Sequence, residues 1–348
     1  MISSRLLSIV RCPDCHGALK EFVCQGCGRE YTSPADYLDM RPREQFAEQT
    51  KYLDAALHVD ARHERVSPPL LGSRIRNDML QAFLRPSPGE LIIDLGSGSG
   101  RTLLWNRHLG AELVGIDIAP FFSREARQGI DLLLGDLRKL PFADNTFDKA
   151  WSLDVLEHLS LDALQEMLAE ANRVLKPGGA LFVYTHVRKN APIAAGLKWI
   201  NQAAKQLERW DLIDLRQEHL RKSDHLNPLQ DIPHLERVAQ AAGFRIAKIR
   251  FYTPIVGGFV ENILMRVAER AMARRAARRL QTTSGDATAR ADIDAAAVRE
   301  ARTAAKERIA SSPTTYAVLR GLSAAMKLDL LLFGKITSGP FFALLVKK

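Results

Sequence analysis

Cysteine is scarce in this chain of 348 residues: there are four, and none follows Cys27. A disulfide framework for the body of the protein is thereby excluded. Long apolar runs are missing too. None reaches the roughly 18 residues that a membrane-spanning helix needs, and residues 1–10 are too short and too interrupted for a secretory signal. The expected location is the cytoplasm, with the inner face of the membrane as a peripheral site if the arm described below meets lipid. No internal repeat is evident. Aromatic residues make up only 7% of the chain, and the most basic stretch, 263–280, contains none. It therefore lacks the stacking surfaces that single-stranded nucleic acid uses. Charge is not lopsided: 49 Lys and Arg against 40 Asp and Glu give +9, which permits attraction to phosphates, nucleic acid or anionic membrane without choosing among them.

What is present is ordinary globular material, 46% hydrophobic and 26% charged, interrupted by one informative stretch. Leu91-Ile-Ile-Asp-Leu-Gly-Ser-Gly-Ser-Gly100 is an apolar run that stops at a glycine cluster and gives way to helical spacing. That pattern predicts strand, tight turn and helix, the opening of a nucleotide-binding α/β unit. Without a Cβ, Gly96, Gly98 and Gly100 let the backbone turn sharply and approach a ligand. Free N–H groups at the start of the next helix suit an anionic group such as a carboxylate. Asp117 closes the next apolar run about 20 residues on, where an acid can accept from both ribose hydroxyls, and Asp136 repeats the arrangement one strand later. A dinucleotide fingerprint would place its third glycine at position 101, which is Arg101; the pattern here is D-x-G-x-G-x-G.

These residues resemble class I S-adenosylmethionine-dependent methyltransferases. Leu140-Pro-Phe-Ala-Asp-Asn-Thr-Phe-Asp148 with Leu153-Asp-Val-Leu-Glu-His158 resembles their type 11 subgroup. The resemblance implies a cofactor site made of Asp94, Gly96, Ser97, Gly98, Gly100, Asp117, Ile118, Asp136, Leu137 and Leu153. The expected fold is α/β, a doubly wound Rossmann-like seven-stranded sheet with its last strand antiparallel, an N-terminal zinc ribbon, and a helical insertion before the last strand. Strands are predicted at Leu91–Leu95, 113–116, Asp131–Leu134, 149–153, 180–185 and 244–252, with a helix capped by Ser160.

All four cysteines fall in two C-x-x-C pairs, Cys12 with Cys15 and Cys24 with Cys27. Such pairs place four thiolates around one structural zinc ion, whose binding would supply most of the folding free energy of so small a ribbon. Two disulfides are the competing reading. Residues 31–42 look like the tail of ribbons fused to methyltransferases, among them a bacterial ribosomal-RNA guanine methyltransferase group. The chain then divides into the ribbon at 1–40, N-terminal helices at 41–88, and a methyltransferase domain at 89–253 plus 339–348. A helical insertion occupies 254–338, expected to be peripheral. In the resembling family, helices ahead of the first strand close over the cofactor, placing Tyr52 or Arg76 near it. The same family builds a lid over the acceptor at 187–229.

Methyl transfer is an in-line displacement for which the protein mainly aligns the reactants and excludes water. A hydroxyl or amine acceptor also needs its proton removed, and histidine suits that near neutral pH. His186 after the fifth strand and His219 in the lid are the candidate bases, ahead of His158. Arginines 266, 270, 274, 275, 278 and 279 of the arm face a phosphate or lipid surface, or belong to a helix hairpin docked on the domain, which is the blander reading. The expected function is methyl transfer from S-adenosyl-L-methionine to a small-molecule or lipid-linked acceptor. RNA methylation and a non-catalytic cofactor-binding adaptor are the alternatives, and nucleic acid is the less favoured partner.

Overall fold

A computed structural model describes residues 2–44, 66–188, 194–215, 225–281, 304 and 311–348. The chain opens with helix α1 (Ser4–Ile9), capped by the Ser3 hydroxyl, which accepts from the Leu6 N–H at 2.9 Å. A two-stranded hairpin follows, β1 (Leu19–Lys20) with β2 (Val23–Cys24), then a short strand β3 (Leu38–Asp39). After α2 (Leu71–Leu84) come β4 (Leu91–Leu95), α3 (Arg101–Asn106), β5 (Glu112–Asp117), α4 (Arg124–Arg127), β6 (Asp131–Leu134) and β7 (Phe147–Leu153). Helix α5 (Leu161–Val174), strand β8 (Leu175–His186), helix α6 (Ala194–Arg209), helix α7 (Ile232–Ala241) and strand β9 (Phe244–Phe251) complete the α/β pattern. The remainder is α8 (Ile255–Phe259), a π-turn at Val260–Leu264, α9 (Met265–Gln281), α10 (Pro313–Phe333) and β10 (Pro340–Lys347).

The main sheet has eight strands in the order β3-β6-β5-β4-β7-β8-β10-β9, with β10 antiparallel to both neighbours and the other pairings parallel. This is the doubly wound Rossmann-like fold, with one strand more than expected. The addition is β3, which pairs Leu38 with Leu133 and Asp39 with Leu134. Two residues are too few to carry an alternating pattern, so no sequence signal announces this edge.

Local sequence explains the central elements. All five residues of β4 are buried, as a continuous apolar run requires in a parallel strand covered on both faces. Helix α5 begins where the Ser160 hydroxyl accepts from the Ala163 N–H at 3.2 Å, buries Leu164, Met167, Leu168, Ala171 and Val174 on one face, and yields to Pro177, which cannot continue a helix. Asp231 caps α7 through the His234 N–H at 3.0 Å.

The ribbon and the arm are both more integrated than a list of domains implies. Leu6, Val10, Leu38 and Met40 are fully buried and share one core with Leu91, Ile93 and Phe142. The Leu140-Pro-Phe142 turn holds the ribbon from below: Arg11 N–H donates to the Pro141 carbonyl at 2.8 Å, and Val10 bridges to Phe142. The described parts of the arm are helical as expected, and α10 is docked on the domain, as the hairpin reading has it. Met326 is fully buried in the core that contains Ile92, Trp151 and Phe182. Asp329, also fully buried, accepts from the Val256 and Gly257 N–H groups at 2.9 and 2.7 Å, and Ser323 accepts from the Leu71 N–H at 2.7 Å. Burying one side of α10 on α2 removes apolar surface from water that an exposed hairpin would leave wet. The predicted linker at 282–288 and helix at 289–310 lie outside the described residues, residue 304 excepted. Among the described residues no helix is long and apolar enough to cross a membrane.

Candidate active site

The glycine turn leaves β4 at Gly96, where φ is +85° and a Cβ would sit 2.4 Å from Val155 Cγ2. No other residue fits there without displacing the β7 end. Gly98 is different: φ is +53° and a Cβ would meet nothing within 4 Å among the described residues. The turn is tied to β5 by Gly96 and Ser97 N–H groups donating to the Ile116 carbonyl at 2.9 and 3.0 Å. Asp117 stitches the two loops together, accepting from Gly98 N–H at 2.7 Å and Ala119 N–H at 2.9 Å. Ser97 is buried, and its hydroxyl oxygen has no hydrogen-bond partner among the described residues.

The sequence-derived cofactor residues therefore converge. Asp94 lies near the end of β4, Gly96, Ser97, Gly98 and Gly100 on the turn that follows it, Asp117 and Ile118 at the end of β5, Asp136 and Leu137 after β6, and Leu153 at the end of β7. Their electrostatics differ. Burial pushes the Asp94 carboxyl up to about 7, with the neighbouring Trp151 opposing and the Asp117 charge reinforcing the shift. Burial also raises Asp117 against the pull of the Ala119, Gly98 and Ile118 amides. Asp136 does not repeat the Asp117 arrangement. Its carboxylate is clamped by the Arg138 guanidinium at 2.9 and 2.8 Å, besides the Arg138 N–H at 2.9 Å, a neutralisation that nothing around Asp117 provides.

On the other side of β4, the ends of β7 and β8 carry a second cluster. Arg76 from α2 lies 3.4 Å from Asp154 and 5.4 Å above the Tyr184 ring. Glu157 is buried at 3% exposure and accepts from the Thr185 hydroxyl at 3.0 Å. Burial, joined by the Asp154 charge, lifts its carboxyl to about 8 in spite of its own amide, Thr185 and Arg76. His186 is the last residue of β8, and its ring lies 5.3 Å from that of His225, which stands edge-on to His158 at 4.6 Å. His225 has no sequence signal: it belongs to no motif and comes from a loop between helices. His219 and Tyr52 lie outside the described residues.

The four cysteines come together in the ribbon as free thiols, not as two disulfides. Their Sγ atoms all lie within 4.8 Å of one another, with Cys12 and Cys27 at 3.7 Å and Cys15 and Cys24 at 3.4 Å. A tetrahedral ion with metal–sulfur bonds of about 2.3 Å requires an edge of about 3.8 Å, so the spacing fits one. Burial works against ionisation of Cys24, but amide N–H groups of Cys27 and Gly26 and the adjacent thiols bring its thiol down to about 6. Gly17 is obligatory, because a Cβ there would lie 2.8 Å from Cys24 Sγ.

Residues 93–183 match the family described as "Methyltransferase domain". The match includes the glycine turn, Asp117, Asp136 and the phrase ending in His158, but neither the ribbon nor the arm. Over 186 residues the chain is 28% identical to the 24-methylenesterol C-methyltransferase 2 of Arabidopsis thaliana, covering 51% of this chain and 47% of that protein. It is 29% identical to the tRNA (carboxymethyluridine(34)-5-O)-methyltransferase of the same plant, covering 44% and 38%. With the demethylmenaquinone methyltransferase of Corynebacterium kroppenstedtii it shares 40% identity, over 29% of this chain and 43% of that one. The chain spans less than half the length of each of these relatives.

Proposed function

We propose that this protein is an S-adenosylmethionine-dependent methyltransferase acting on a small-molecule or lipid-linked acceptor, with a structural zinc ion in its ribbon. The observation that carries this reading is the pairing at the end of β4: a backbone position at Gly98 that is open among the described residues, beside a buried Ser97 hydroxyl that none of the described residues satisfies. Unsatisfied buried hydroxyls are uncommon in folded proteins and mark places where a ligand completes the bonding. Asp117, fixed by two amides, stands where an acid receives ribose hydroxyls, and Gly98 leaves room for a nucleoside.

Bound there, the cofactor supplies a methyl group activated by its sulfonium. The chain's own residues do the rest. The rigid turn orients the cofactor, Arg76 and Asp154 close the cleft between α2 and β7, and His186 at the end of β8 takes the proton of a hydroxyl or amine acceptor. Acceptors of the sterol and quinone type, as named for two of the relatives, support the small-molecule or lipid-linked reading.

RNA methylation is the second reading, favoured by the tRNA-modifying relative. Against it, the basic face of α9 is partly consumed within the protein: Arg266 pairs with Glu269 at 2.9 Å, and Arg270 and Arg274 pair with Asp211 at 2.6 and 2.9 Å. The test is calorimetry with S-adenosylmethionine, followed by transfer from labelled cofactor into separated lipid, metabolite and RNA fractions. Label is expected in lipid or metabolites, and His186→Asn should slow it on the order of 100-fold without changing cofactor affinity. Label confined to RNA, with binding that falls steeply with salt, would select the second reading; heat from NADH and none from S-adenosylmethionine would overturn both.

A further inference from the structure

The imidazole cluster at the ends of β7 and β8 is richer than proton removal needs. One base suffices, yet three histidines and a buried carboxylate converge. Candidate ligand atoms of Glu157, His158 and His225 all lie within 4.8 Å of one another, and His186 flanks them. Their meeting is enforced. The Asn227 N–H donates to the Glu157 carbonyl at 2.9 Å, and Arg188 straps the same loop, donating from its N–H to the Leu229 carbonyl at 3.0 Å and from its guanidinium to the Asn227 and Leu226 carbonyls at 2.6 and 2.9 Å. Thr185 holds the Glu157 carboxyl from the opposite side at 3.0 Å. A loop that needed only to cover the cleft would not require its histidine to be seated against His158.

We propose that Glu157, His158 and His225 form a second divalent-metal site, distinct from the four-cysteine site, which takes a transition-metal ion of the zinc class and presents its open position to an oxygen or nitrogen atom of the acceptor. Two imidazoles and one carboxylate are the donor set of catalytic zinc, whereas magnesium selects oxygen ligands. Bonds of about 2.1 Å require ligand atoms about 3.4 Å apart in a tetrahedral site, so the side chains draw together by roughly an ångström on binding, within the reach of χ rotations. A metal held there would bind the acceptor heteroatom and favour its deprotonated form, and His186, whose ring lies 5.3 Å from that of His225, would receive the proton. The acceptor class is thereby narrowed to one with a heteroatom next to, or identical with, the methylated atom. The inference rests on the methyltransferase reading for its purpose, but not for the metal itself.

The experiment counts metal on the full chain. Protein is stripped, titrated with Zn2+ alone in a calorimeter, and bound zinc is measured by elemental analysis. Two ions per chain are expected. His225→Ala, which leaves the Asn227 and Thr185 contacts to Glu157 in place, should weaken one of them by more than about 100-fold, beyond what loss of an outer-sphere partner costs, and Glu157→Gln should do the same. Cys12→Ser should remove the other ion alone. With Co2+ as probe, the site lost in His225→Ala should absorb without the thiolate-to-metal band that the ribbon shows. Thermal unfolding of each variant separates loss of metal from loss of fold, and His225→Gln serves if the alanine variant unfolds. One ion per chain that vanishes only with Cys12→Ser overturns the proposal, as does a second ion indifferent to His225 and Glu157. Calorimetry with S-adenosylmethionine on the same sample keeps the readings apart: cofactor heat without a second zinc sinks only the metal site, and a second zinc without cofactor heat sinks only the methyltransferase reading.

Discussion

The two halves of the sheet's carboxyl edge are built on different terms. Around β4, β5 and β6, the Asp94 carboxylate is buried, and Asp117, half-buried, is answered by backbone amides, one from Gly98 only 19 residues away. Around β7 and β8, the groups are side chains that answer one another: Arg76 with Asp154, Thr185 with Glu157, His225 with His158 and His186. They arrive from α2, the β7 end, β8 and a loop before α7. Backbone amides are fixed once the turn is made, so the first half is rigid before any ligand arrives. Side-chain partners can be exchanged or re-aimed, so the second half is where specificity and titration reside.

The strongest way to break this contrast is Gly96→Ala. The left-handed φ and the clash with Val155 Cγ2 should lower S-adenosylmethionine affinity about 100-fold, or about 2.7 kcal/mol, in a calorimetric titration; an unchanged Kd would mean that the turn is soft. Next is Asp329→Ala in the arm. Loss of its bonds to the Val256 and Gly257 amides should cost about 2 kcal/mol of stability by chemical denaturation, with cofactor affinity preserved. If affinity falls as well, the arm reaches the first half and the division fails. A smaller effect is expected from Arg188→Ala, which unfastens the loop that carries His225: turnover should drop about tenfold, a cost of about 1.4 kcal/mol in barrier, at constant cofactor Kd.

The subtlest test is the pH profile of Asp94→Asn without cofactor. In the folded chain Asp94 titrates near about 7, well above the roughly 3.9 of an unfolded aspartate, so the native state holds this proton more tightly. The stability it lends is present in full below about pH 4 and is lost as pH rises towards about 7. The urea midpoint of the variant should gain on that of the wild type across that window and run parallel above it. A constant offset at all pH values would place Asp94 in a wetter setting than its burial indicates.

Legibility in the sequence follows the same division. The order of strands from β4 to β8, the Ser160 cap, the glycine turn and the four-thiol cluster were each written in residues close together in the chain. The seat of the arm, by contrast, is not legible, because the apolar face of α10 reads the same whether it meets lipid, a partner or α2. Asp136 was matched to Asp117 by position, and only the structure reveals Arg138 folded back on it. His225 left no trace at all.

What the amino-acid order settled by itself is the α/β architecture, the glycine turn and the thiol set, since each depends on backbone conformation and contacts that span a few residues. What only the folded chain decided is the extra edge strand, the buried seat of Asp329 and the meeting of three histidines with Glu157. Those depend on which distant surfaces bury each other, and burial is a property of the whole packed molecule, not of any segment.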